Sequence, residues 1–306
     1  MMDIVSKRFW FFLISGVIIL TGIISLSVFG LKMGIEFSSG SMTTLNFKEE
    51  VSQAELKEEL SKLGYGNAII QHTGAGDFII RTTELSSEEK AKLESALEAR
   101  FGELEETEFY SISPMIAEET TRNALIAVIV AAIGILLYVT WAFRKMPRPF
   151  RYGTCAVIAL VHDVLVAVGI FSIISAILNW EVNLMFITGT LAVIGYSVNN
   201  TVVVFDRIRE NLTLGLSSDF EQVVNSSLIE SLGRSINTSL TTLFVAVALL
   251  LFVGTSIQNF AVVLIIGIIA GTFSSLFIAP TLLVVWEKGE WGRFIGRRFP
   301  AQAEGE

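Results

Sequence analysis

Residues 195–211 read GYSVNNTVVVFDRIREN, an apolar stretch that contains two adjacent amides, Asn199 and Asn200, and ends in a charged block that begins at Asp206. Inside a bilayer an amide side chain finds no water, and leaving it unpaired is costly. Such a pair should therefore face other helices or a wet path within a helical bundle. The stretch predicts a membrane-spanning helix that packs among others.

The composition of the whole chain is that of a membrane protein. Of its 306 residues 52% are hydrophobic and 17% are charged, and the mean hydropathy is +0.62. A bilayer is spanned by about 20 apolar residues. Six runs come close to or exceed that length, at residues 9–30, 124–143, 154–178, 184–205, 236–254 and 260–286. The single cysteine, Cys155, excludes a disulfide within the chain.

Basic residues between the runs predict the orientation, because cytoplasmic loops are enriched in Lys and Arg. They precede the first run, separate the second from the third, and follow the fourth and the sixth, as Lys7, Arg8, Arg144, Lys145, Arg148, Arg151, Arg207, Arg209, Lys288, Arg293, Arg297 and Arg298. Residues 179–183 and 255–259 contain neither type. We therefore expect both termini in the cytoplasm. The expected parts are residues 1–30 with the first helix, an outer domain at 31–120, helices two to six at 121–286, and a cytoplasmic tail at 287–306.

The predicted outer domain is acidic. Residues 31–119 carry 18 Asp and Glu against 8 Lys and Arg, a net charge of −10. Such charge serves solubility or steers a basic partner towards the domain. His72 stands alone and no metal-ligand spacing occurs, so we expect no metal site.

Periodicity predicts the order of elements in this domain. Strands are expected at 41–47, 68–71, 77–82 and 105–112, and helices at 54–63 and from about 87 to 100. Both helices begin at a capping box, in which a serine precedes a glutamate by three residues: Ser52 with Glu55, and Ser86 with Glu89. Leu56, Leu60, Leu63, Leu93 and Leu97 should point inward, and Gly-Ala-Gly at 74–76 should form a turn. The order β-α-β-β-α-β is that of a ferredoxin-like fold.

Ionisable residues inside a span are expensive and usually functional. Asp163 is the only acid well inside an apolar run, and His162 precedes it. Neighbouring helical residues point about 100° apart, so we expect these two side chains to face different partners. A structural hydrogen bond to another helix is the alternative to an ionic role.

The last two runs carry small and polar residues at helical spacing. Ser235, Thr238 or Ser239, and Thr242 share one face of the fifth run, which either packs closely or lines a wet path. Gly267 and Gly271 in the sixth run are four residues apart, which favours a tight helix contact, and Pro280 favours a kink. Asp206 is expected to open the longest cytoplasmic loop, which continues to about Arg234 as an amphipathic surface segment or a partner contact.

Four stretches together resemble the SecD/SecF family of protein-export membrane proteins. Residues 195–201 resemble its fourth-helix signature Gly-Tyr-Ser-x-Asn-Asp-Thr, with Asn200 in place of the aspartate. Residues 161–163 resemble its Val-His-Asp element, and residues 271–275 resemble part of its sixth helix. Residues 34–40, GIEFSSG, resemble its Gly-x-Asp-Phe-x-Gly-Gly element in part, and the alternative is a glycine-rich linker with no helix opening there.

This resemblance implies a fold and a set of partners. The fold is six transmembrane helices of RND type with a small α+β, ferredoxin-like extracytoplasmic domain, in a bacterial plasma (inner) membrane. The partners are a SecD-like subunit, the SecYEG channel, a YajC-like accessory subunit, the preprotein substrate and membrane lipid, and nucleic acid is not among them. Together they are expected to drive late steps of protein export with an ion gradient. We expect no catalytic residues and no cofactor.

In the family the acid at position 200 is thought to carry protons and to pair with an arginine of helix five, present here as Arg234. Asparagine cannot titrate. Arg234 then pairs with Asp163 or Asp206, or merely anchors a helix end, and the coupling ion is a proton, sodium or none. The candidates for the ion pathway are Asp163, His162, Asn199, Asn200, Arg234 and Asp206, and those for a packing or polar face are Thr238, Ser239, Thr242, Gly267 and Gly271. Our hypothesis is that protonation of Asp163 changes its pairing with Arg234 or with the helix-five hydroxyls.

Two other function classes compete with export. One is a half-size RND-type exporter of a small molecule or lipid, although such exporters normally have two large outer domains. The other is a membrane enzyme, for which the sequence offers no paired carboxylates, no metal spacing and no Ser-His-Asp arrangement. A passive holding role for the outer domain, without ion passage, also remains open.

Overall fold

The computed structural model of the protein describes residues 3–72, 76–253 and 257–291. The chain divides into two compact units. The first, here called the bundle, comprises Met1–Leu31, Ala127–Trp180 and Met185–Glu306, and the second, called the sheet domain, comprises Lys32–Ile126 and Glu181–Leu184.

The helices of the described residues are, in chain order, α1 (Arg8–Phe29), α2 (Ile35–Ser38), α3 (Gln53–Lys62), α4 (Ser87–Phe101), α5 (Pro114–Ala142), α6 (Pro149–Leu178), α7 (Leu184–Thr213), α8 (Phe220–Phe252), α9 (Gln258–Phe273) and α10 (Ala279–Lys288). A 3₁₀ turn, Val5–Lys7, leads into α1, and a π-helical turn, Ser274–Ile278, joins α9 to α10. Six helical segments are long and apolar enough to cross a membrane: Val5–Phe29, α5, α6, α7, α8 and Gln258–Lys288. They fit the predicted polytopic α-helical membrane protein.

The prediction of a long loop over residues 206–234, after the fourth span, is wrong. Helix α7 continues to Thr213 and α8 begins at Phe220, so most of residues 206–234 is helical. The charges stabilise these extensions: Asp206 pairs with Arg209 at 2.5 Å along α7, and Arg207 pairs with Glu230 of α8 at 2.6 Å. The apolar run marks only the membrane-spanning part of α7. The helix continues beyond that run through the charged residues that form these ion pairs. Asn199 and Asn200 consequently lie well inside α7 and not near its end.

Helices α1 and α6 run parallel along a seam of small residues. A Cβ added to Gly22 would lie 2.8 Å from the Cα of Gly169, so the two backbones touch at this point. Three residues further along each helix, the hydroxyls of Ser25 and Ser172 lie 3.0 Å apart. Both pairs are separated by 147 residues in the sequence, as expected for two helices that run in the same direction. Small side chains let two helices approach this closely.

A second parallel seam joins α7 to α9. A Cβ on Gly267 would collide with the side chain of Val193, and one on Gly271 would lie 2.9 Å from the Cβ of Ser197. The structure thus places both glycines of the sixth run against α7, at the close contact expected of them. This seam brings the polar residues of α7 next to the start of the π-helical turn.

The N-terminus is held to the bundle by hydrogen bonds and ion pairs. The backbone N–H groups of Ile4 and Val5 donate to Asn225 Oδ1 of α8, at 2.8 and 3.3 Å. The Arg8 guanidinium is 5% exposed and pairs with Glu221 at 2.6 Å and with Glu290 at 2.7 Å. Arg8 therefore joins the beginnings of α1 and α8 to the segment that follows α10.

Substituting Arg8 with Met is expected to destabilise the bundle by roughly 2–4 kcal/mol. The expected loss of stability is somewhat smaller than for a fully buried ion pair, because the side chain of Glu221 is 21% exposed. The readout is the midpoint of thermal unfolding in detergent. Lys7→Met is the matched control, since Lys7 is exposed. Equal unfolding midpoints for the two variants would contradict the assigned role of Arg8.

The sheet domain contains one four-stranded antiparallel sheet. Its strands are β1 (Gly40–Phe47), β2 (Ile69–His72), β3 (Phe78–Thr82) and β4 (Leu104–Ile112), in the order β2-β3-β1-β4. Helix α3 connects β1 to β2 and α4 connects β3 to β4. A single apolar core lies between the helices and one face of the sheet, with Leu45, Phe47, Leu56, Leu60, Ile70, Phe78, Ile80, Leu93, Leu97 and Phe101 buried in it.

Both predicted capping boxes are confirmed, with each serine and glutamate bonding the other's backbone N–H. These hydrogen bonds, chiefly from the Ser52 side chain and from the Ser86 backbone, lower the pKa values of Glu55 and Glu89. Leu63 differs from the prediction: it is the C-cap of α3 and is 36% exposed.

Two further predictions concern the connections of this domain. Residues 35–38 form the single turn α2, so the expectation that no helix opens in that glycine-rich stretch is wrong. The predicted Gly-Ala-Gly turn lies largely outside the described residues, as do Arg293, Arg297, Arg298 and the first two residues of the loop at 255–259.

Candidate functional site

Asp163 lies near the middle of α6 and is 1% exposed. Its Oδ2 atom accepts hydrogen bonds from the hydroxyls of Ser197 on α7 and, at 2.8 Å, Ser274 at the start of the π-helical turn. Its Oδ1 atom lies 2.9 Å from His162 Nδ1. A buried carboxylate needs such partners because burying an unpaired charge costs far more than burying a bonded one.

His162 extends this network to α1. Its Nε2 atom lies 3.0 Å from the hydroxyl of Ser15, and the residue as a whole is 8% exposed. His162 and Asp163 therefore bond each other and, as predicted, have different outer partners. The network, here called the Asp163 cluster, consists of Ser15, His162, Asp163, Ser197 and Ser274.

The cluster corrects one expectation based on the sequence. A Ser-His-Asp arrangement does occur, because Ser15, His162 and Asp163 are connected by hydrogen bonds across α1 and α6. Ser15 is far from the other two residues in sequence, and the parallel α1–α6 seam brings them together. All three residues are at most 8% exposed, so a substrate has no direct approach to the serine.

Close helix contacts make the Asp163 cluster possible. At Gly271 the backbone of α9 lies against Ser197, which leaves room for Ser197 and Ser274 to reach the same carboxylate oxygen. Ser197 lies in the signature around the two amides and Ser274 in the run that begins at Gly271, so both were visible in the sequence as hydroxyls. The signal for Ser15 was weaker: it is a hydroxyl within a long apolar run, at the spacing that places it on the same side as Gly22.

A second polar group lies about one helical turn further along α7. Asn200 is 2% exposed and its Nδ2 donates to Ser239 of α8 at 3.3 Å. Thr272 of α9 places its hydroxyl 2.6 Å from that of Ser239. Asn200, Ser239 and Thr272, here called the Asn200 cluster, thus connect α7, α8 and α9 without a titratable group.

Arg234 pairs with neither Asp163 nor Asp206. Its side chain is exposed on α8, and within the described part of the chain it has no ion pair or hydrogen bond. The reason is geometric: Asp163 is enclosed by α1, α7 and the π-helical turn, and Asp206 pairs along its own helix. In this structure the Asp163 carboxylate is bonded by His162, Ser197 and Ser274 and not by the predicted Arg234 or α8 hydroxyls, and the hypothesis that protonation changes its pairing stays a prediction.

The remaining predicted residues divide between the inside and the surface of the bundle. Asn199 and Thr238 are exposed, and Thr242 donates to the carbonyl of Thr238 within α8. Ser235 and Ser239 face inward. Only one edge of the expected hydroxyl face therefore contacts another helix.

Chemically, the Asp163 cluster brings a carboxyl group and an imidazole into contact, and three serine hydroxyls surround them as hydrogen-bond donors or acceptors. In the described residues, no group of three or more His, Cys, Asp or Glu side chains could bind a metal ion.

The match to known proteins extends over nearly the whole chain. Residues 92–289 fit the family described as Protein export membrane protein SecD/SecF, C-terminal. The chain is also 43% identical to Protein translocase subunit SecF of Thermobaculum terrenum, over 99% of this chain and 99% of the relative. The chain belongs to the SecF family. Another SecF relative, from Anaerolinea thermophila, is 39% identical over 97% of this chain and 98% of its own length.

SecF-like sequence also occurs within longer proteins. Protein translocase subunit SecDF of Bacillus subtilis is 34% identical over 94% of this chain, which covers 38% of the relative. The crystal structure of SecDF from Thermus thermophilus, described as a translocon-associated membrane protein, matches with a TM-score of 0.82 and 30% identity. This match covers 94% of the present chain and 39% of the SecDF chain.

Proposed function

We propose that this SecF-family chain is an accessory subunit of the Sec preprotein translocase that uses an ion gradient in late steps of export, with Asp163 as its proton-binding group. The observation that carries the ionic part is the buried Asp163 carboxylate, which is bonded by side chains from α6, α7 and the π-helical turn. An acid at membrane depth is expensive to maintain, so it favours a functional role. Near full-length relatives with translocase names support the accessory role over the half-size exporter.

The position usually thought to carry protons in this family is Asn200 here, and it does not titrate. Asn200 donates to Ser239 of α8, and the Ser239 hydroxyl in turn contacts Thr272 of α9, so the Asn200 cluster serves as a packing contact. We therefore assign proton binding to the neighbouring Asp163 cluster, about one turn away along α7. Asn199 and Arg234 are the proposed residues for the entry and exit of the ion, whereas Asp206 pairs with Arg209 along α7.

The exposed Arg234 supports a SecD-like partner. A guanidinium on a spanning helix is costly next to lipid unless it is paired or reaches the interface. Within the described residues it has no partner, so a neighbouring subunit that provides an acidic or amide side chain would satisfy it. We propose that the exposed side of α8 that carries Arg234 packs against the SecD-like subunit.

We further propose the cellular arrangement. The basic residues in the connections support an orientation in a bacterial plasma membrane with both termini in the cytoplasm and the sheet domain outside it. Its strand order and its two connecting helices support a ferredoxin-like fold, and the six helices support an RND-type bundle. The proposed parts are residues 1–30, 31–120, 121–286 and 287–306. The SecYEG channel, a YajC-like subunit and the preprotein are the proposed partners in export.

The proposal is tested by preprotein translocation into vesicles that contain this chain, its SecD-like partner and the channel. A proton gradient and then a sodium gradient are imposed, and the amount of protected preprotein is measured. Stimulation by the proton gradient is expected. Stimulation by sodium alone would overturn the assignment of Asp163, and stimulation by neither would leave the outer domain as a passive holder.

A further inference from the structure

The segment next to Asp163 is not an ordinary helix. At Ser274–Ile278 the chain makes a π-helical turn, in which the N–H of Ala279 donates to the carbonyl of Ser274, five residues back. Two residues explain why the turn is wide here. Pro280 has no N–H and cannot make the ordinary bond back to Leu276. The Thr281 hydroxyl lies within hydrogen-bond distance of the carbonyls of Phe277 and, at 3.2 Å, Ile278, and donates to one of them.

Ser274 connects this turn to the Asp163 carboxylate, and it has a choice of acceptors. Its hydroxyl lies 2.8 Å from Asp163 Oδ2 and 3.3 Å from the carbonyl of Gly271. A serine hydroxyl has a single proton, so it donates to only one of them at a time. Its backbone N–H is also shared, between the carbonyls of Ala270 and Gly271. The beginning of the turn thus has two hydrogen-bonding arrangements within reach.

The charge of Asp163 decides between these arrangements. Hydrogen bonds to a carboxylate are roughly twice as strong as bonds between neutral groups. Neutralising the carboxyl therefore weakens Oδ2 as an acceptor, whichever oxygen takes the proton. Ser197 and Ser274 both donate to Oδ2, and Ser274 has the Gly271 carbonyl at 3.3 Å as a second acceptor. Ser274 is therefore the donor expected to leave when Asp163 is protonated.

We propose that the π-helical turn is the element that converts protonation of Asp163 into movement of α10, with Ser274 as the positioning residue between them. This inference rests on the proposed function of Asp163. With Asp163 charged, Ser274 holds the turn against α6. With Asp163 neutral, Ser274 bonds Gly271, and the turn is free to tighten towards α-helix. A π-helical hydrogen bond spans five residues and an α-helical one spans four. A change from the first to the second shifts the helix that follows by one residue, which corresponds to a rotation of about 100°.

The far end of α10 shows where such a rotation would act. Lys288, its last residue, forms an ion pair with Glu221 of α8, and Glu290 just beyond pairs with Arg8. Rotation of α10 would therefore change the ion pairs that hold the beginnings of α1 and α8. Protonation in the middle of the bundle would in this way alter contacts at one of its ends.

The groups around Asp163 make the pH dependence testable. The titratable neighbour in contact is His162 on α6, while α7 and the turn contribute the hydroxyls of Ser197 and Ser274, and α1 contributes Ser15 through His162. His162 could cause a pH response of its own. The variant Asp163→Asn removes one titrating group and leaves the other, so it separates the two sources.

The experiment compares protection factors for backbone hydrogen exchange of residues 279–288 at two pH values, that is, exchange rates corrected for the intrinsic rate at each pH, in vesicles that contain the chain and its SecD-like partner. In the wild type these protection factors should change on acidification, and Ser274→Ala and Asp163→Asn should lose this change. Ser274→Thr should restore it. Ser275→Ala is the matched control, because Ser275 is equally buried and its hydroxyl bonds the carbonyls of Gly271 and Thr272 instead of Asp163.

Four outcomes overturn the inference: a wild type without pH response, a Ser274→Ala variant with the full response, an Asp163→Asn variant that keeps it, or a Ser275→Ala variant that loses it. In the last case any weakening of the turn would suffice to remove the response. The proposed function fails separately, when Asp163→Asn translocates preprotein as well as the wild type under a proton gradient. If that variant stops translocation while Ser274→Ala keeps the pH response, only the inference fails.

Discussion

Replacing Asp163 with Asn is expected to abolish the stimulation of preprotein translocation by a proton gradient, while the subunit still folds and assembles. Asparagine has nearly the shape of aspartate, and its amide oxygen can still accept a hydrogen bond from Ser197. Its amide nitrogen can donate to His162. The variant therefore fits the same site, resembles the neutral form of Asp163 and has lost the ability to titrate. The measurement is translocation into vesicles with and without the gradient.

Asp206→Asn is the control for this prediction. Asp206 is an acid on the neighbouring helix α7, but its side chain is 53% exposed and pairs with Arg209. Removing its charge should leave gradient stimulation close to that of the wild type. ATP-driven translocation without a gradient should be equal in all three proteins. Undiminished stimulation in Asp163→Asn would remove the carboxyl group from the coupling mechanism and leave His162 as the nearest titrating alternative.

Hydropathy located the six spans but not the ends of the helices. An apolar run stops where the hydrocarbon stops, whereas α7 continues through Asp206 to Thr213 on charged residues. The charged residues from Asp206 onward show no helical repeat of apolar side chains, so their sequence is typical of a surface segment. Their helical state depends on pairs such as Arg207 with Glu230, which join two helices across 23 residues of sequence. Such a pair becomes visible only when both helices are placed.

The sequence identified Asp163 as a candidate residue, but it did not identify the side chains that contact Asp163. Asp163 stands out because an acid in an apolar run is rare, and this needs no structure. Its partners depend on how each helix is rotated about its own axis. A helix that is apolar nearly all round, as α1 is, gives little indication of which side faces the bundle. The sequence therefore suggested Arg234 as the partner of Asp163, whereas the carboxylate is bonded by His162, Ser197 and Ser274.

Two glycines of α1 show why the sequence does not indicate which side of this helix faces the bundle. Gly16 and Gly22 occur in the same apolar helix and read alike, but they have different surroundings. No atom lies within 4 Å of a Cβ added to Gly16, whereas a Cβ on Gly22 would be 2.8 Å from the Gly169 backbone. The absence of a side chain is structural at one position and incidental at the other. Substitution at both positions separates the two cases.

Gly22→Leu is accordingly expected to destabilise the bundle by about 3 kcal/mol or more, at or beyond the upper end of ordinary overpacking, because the obstacle is backbone and cannot turn aside. Gly16→Leu should cost little, since its side chain would enter open space on the exposed side of α1. The measurement is the midpoint of unfolding in detergent for both variants. Equal midpoints would show that α1 and α6 are not in backbone contact.

The same substitution should reach the Asp163 cluster. Ser15 lies seven residues, or about two turns, before Gly22 on the same side of α1 and bonds His162 at 3.0 Å. Pushing α1 away from α6 at Gly22 lengthens that bond and exposes the imidazole to a different environment. We therefore expect Gly22→Leu to reduce gradient-dependent translocation even under conditions in which the protein remains folded, whereas Gly16→Leu should not. Normal coupling in folded Gly22→Leu would mean that the cluster works without Ser15, and that its function lies with Asp163, Ser197 and Ser274 alone.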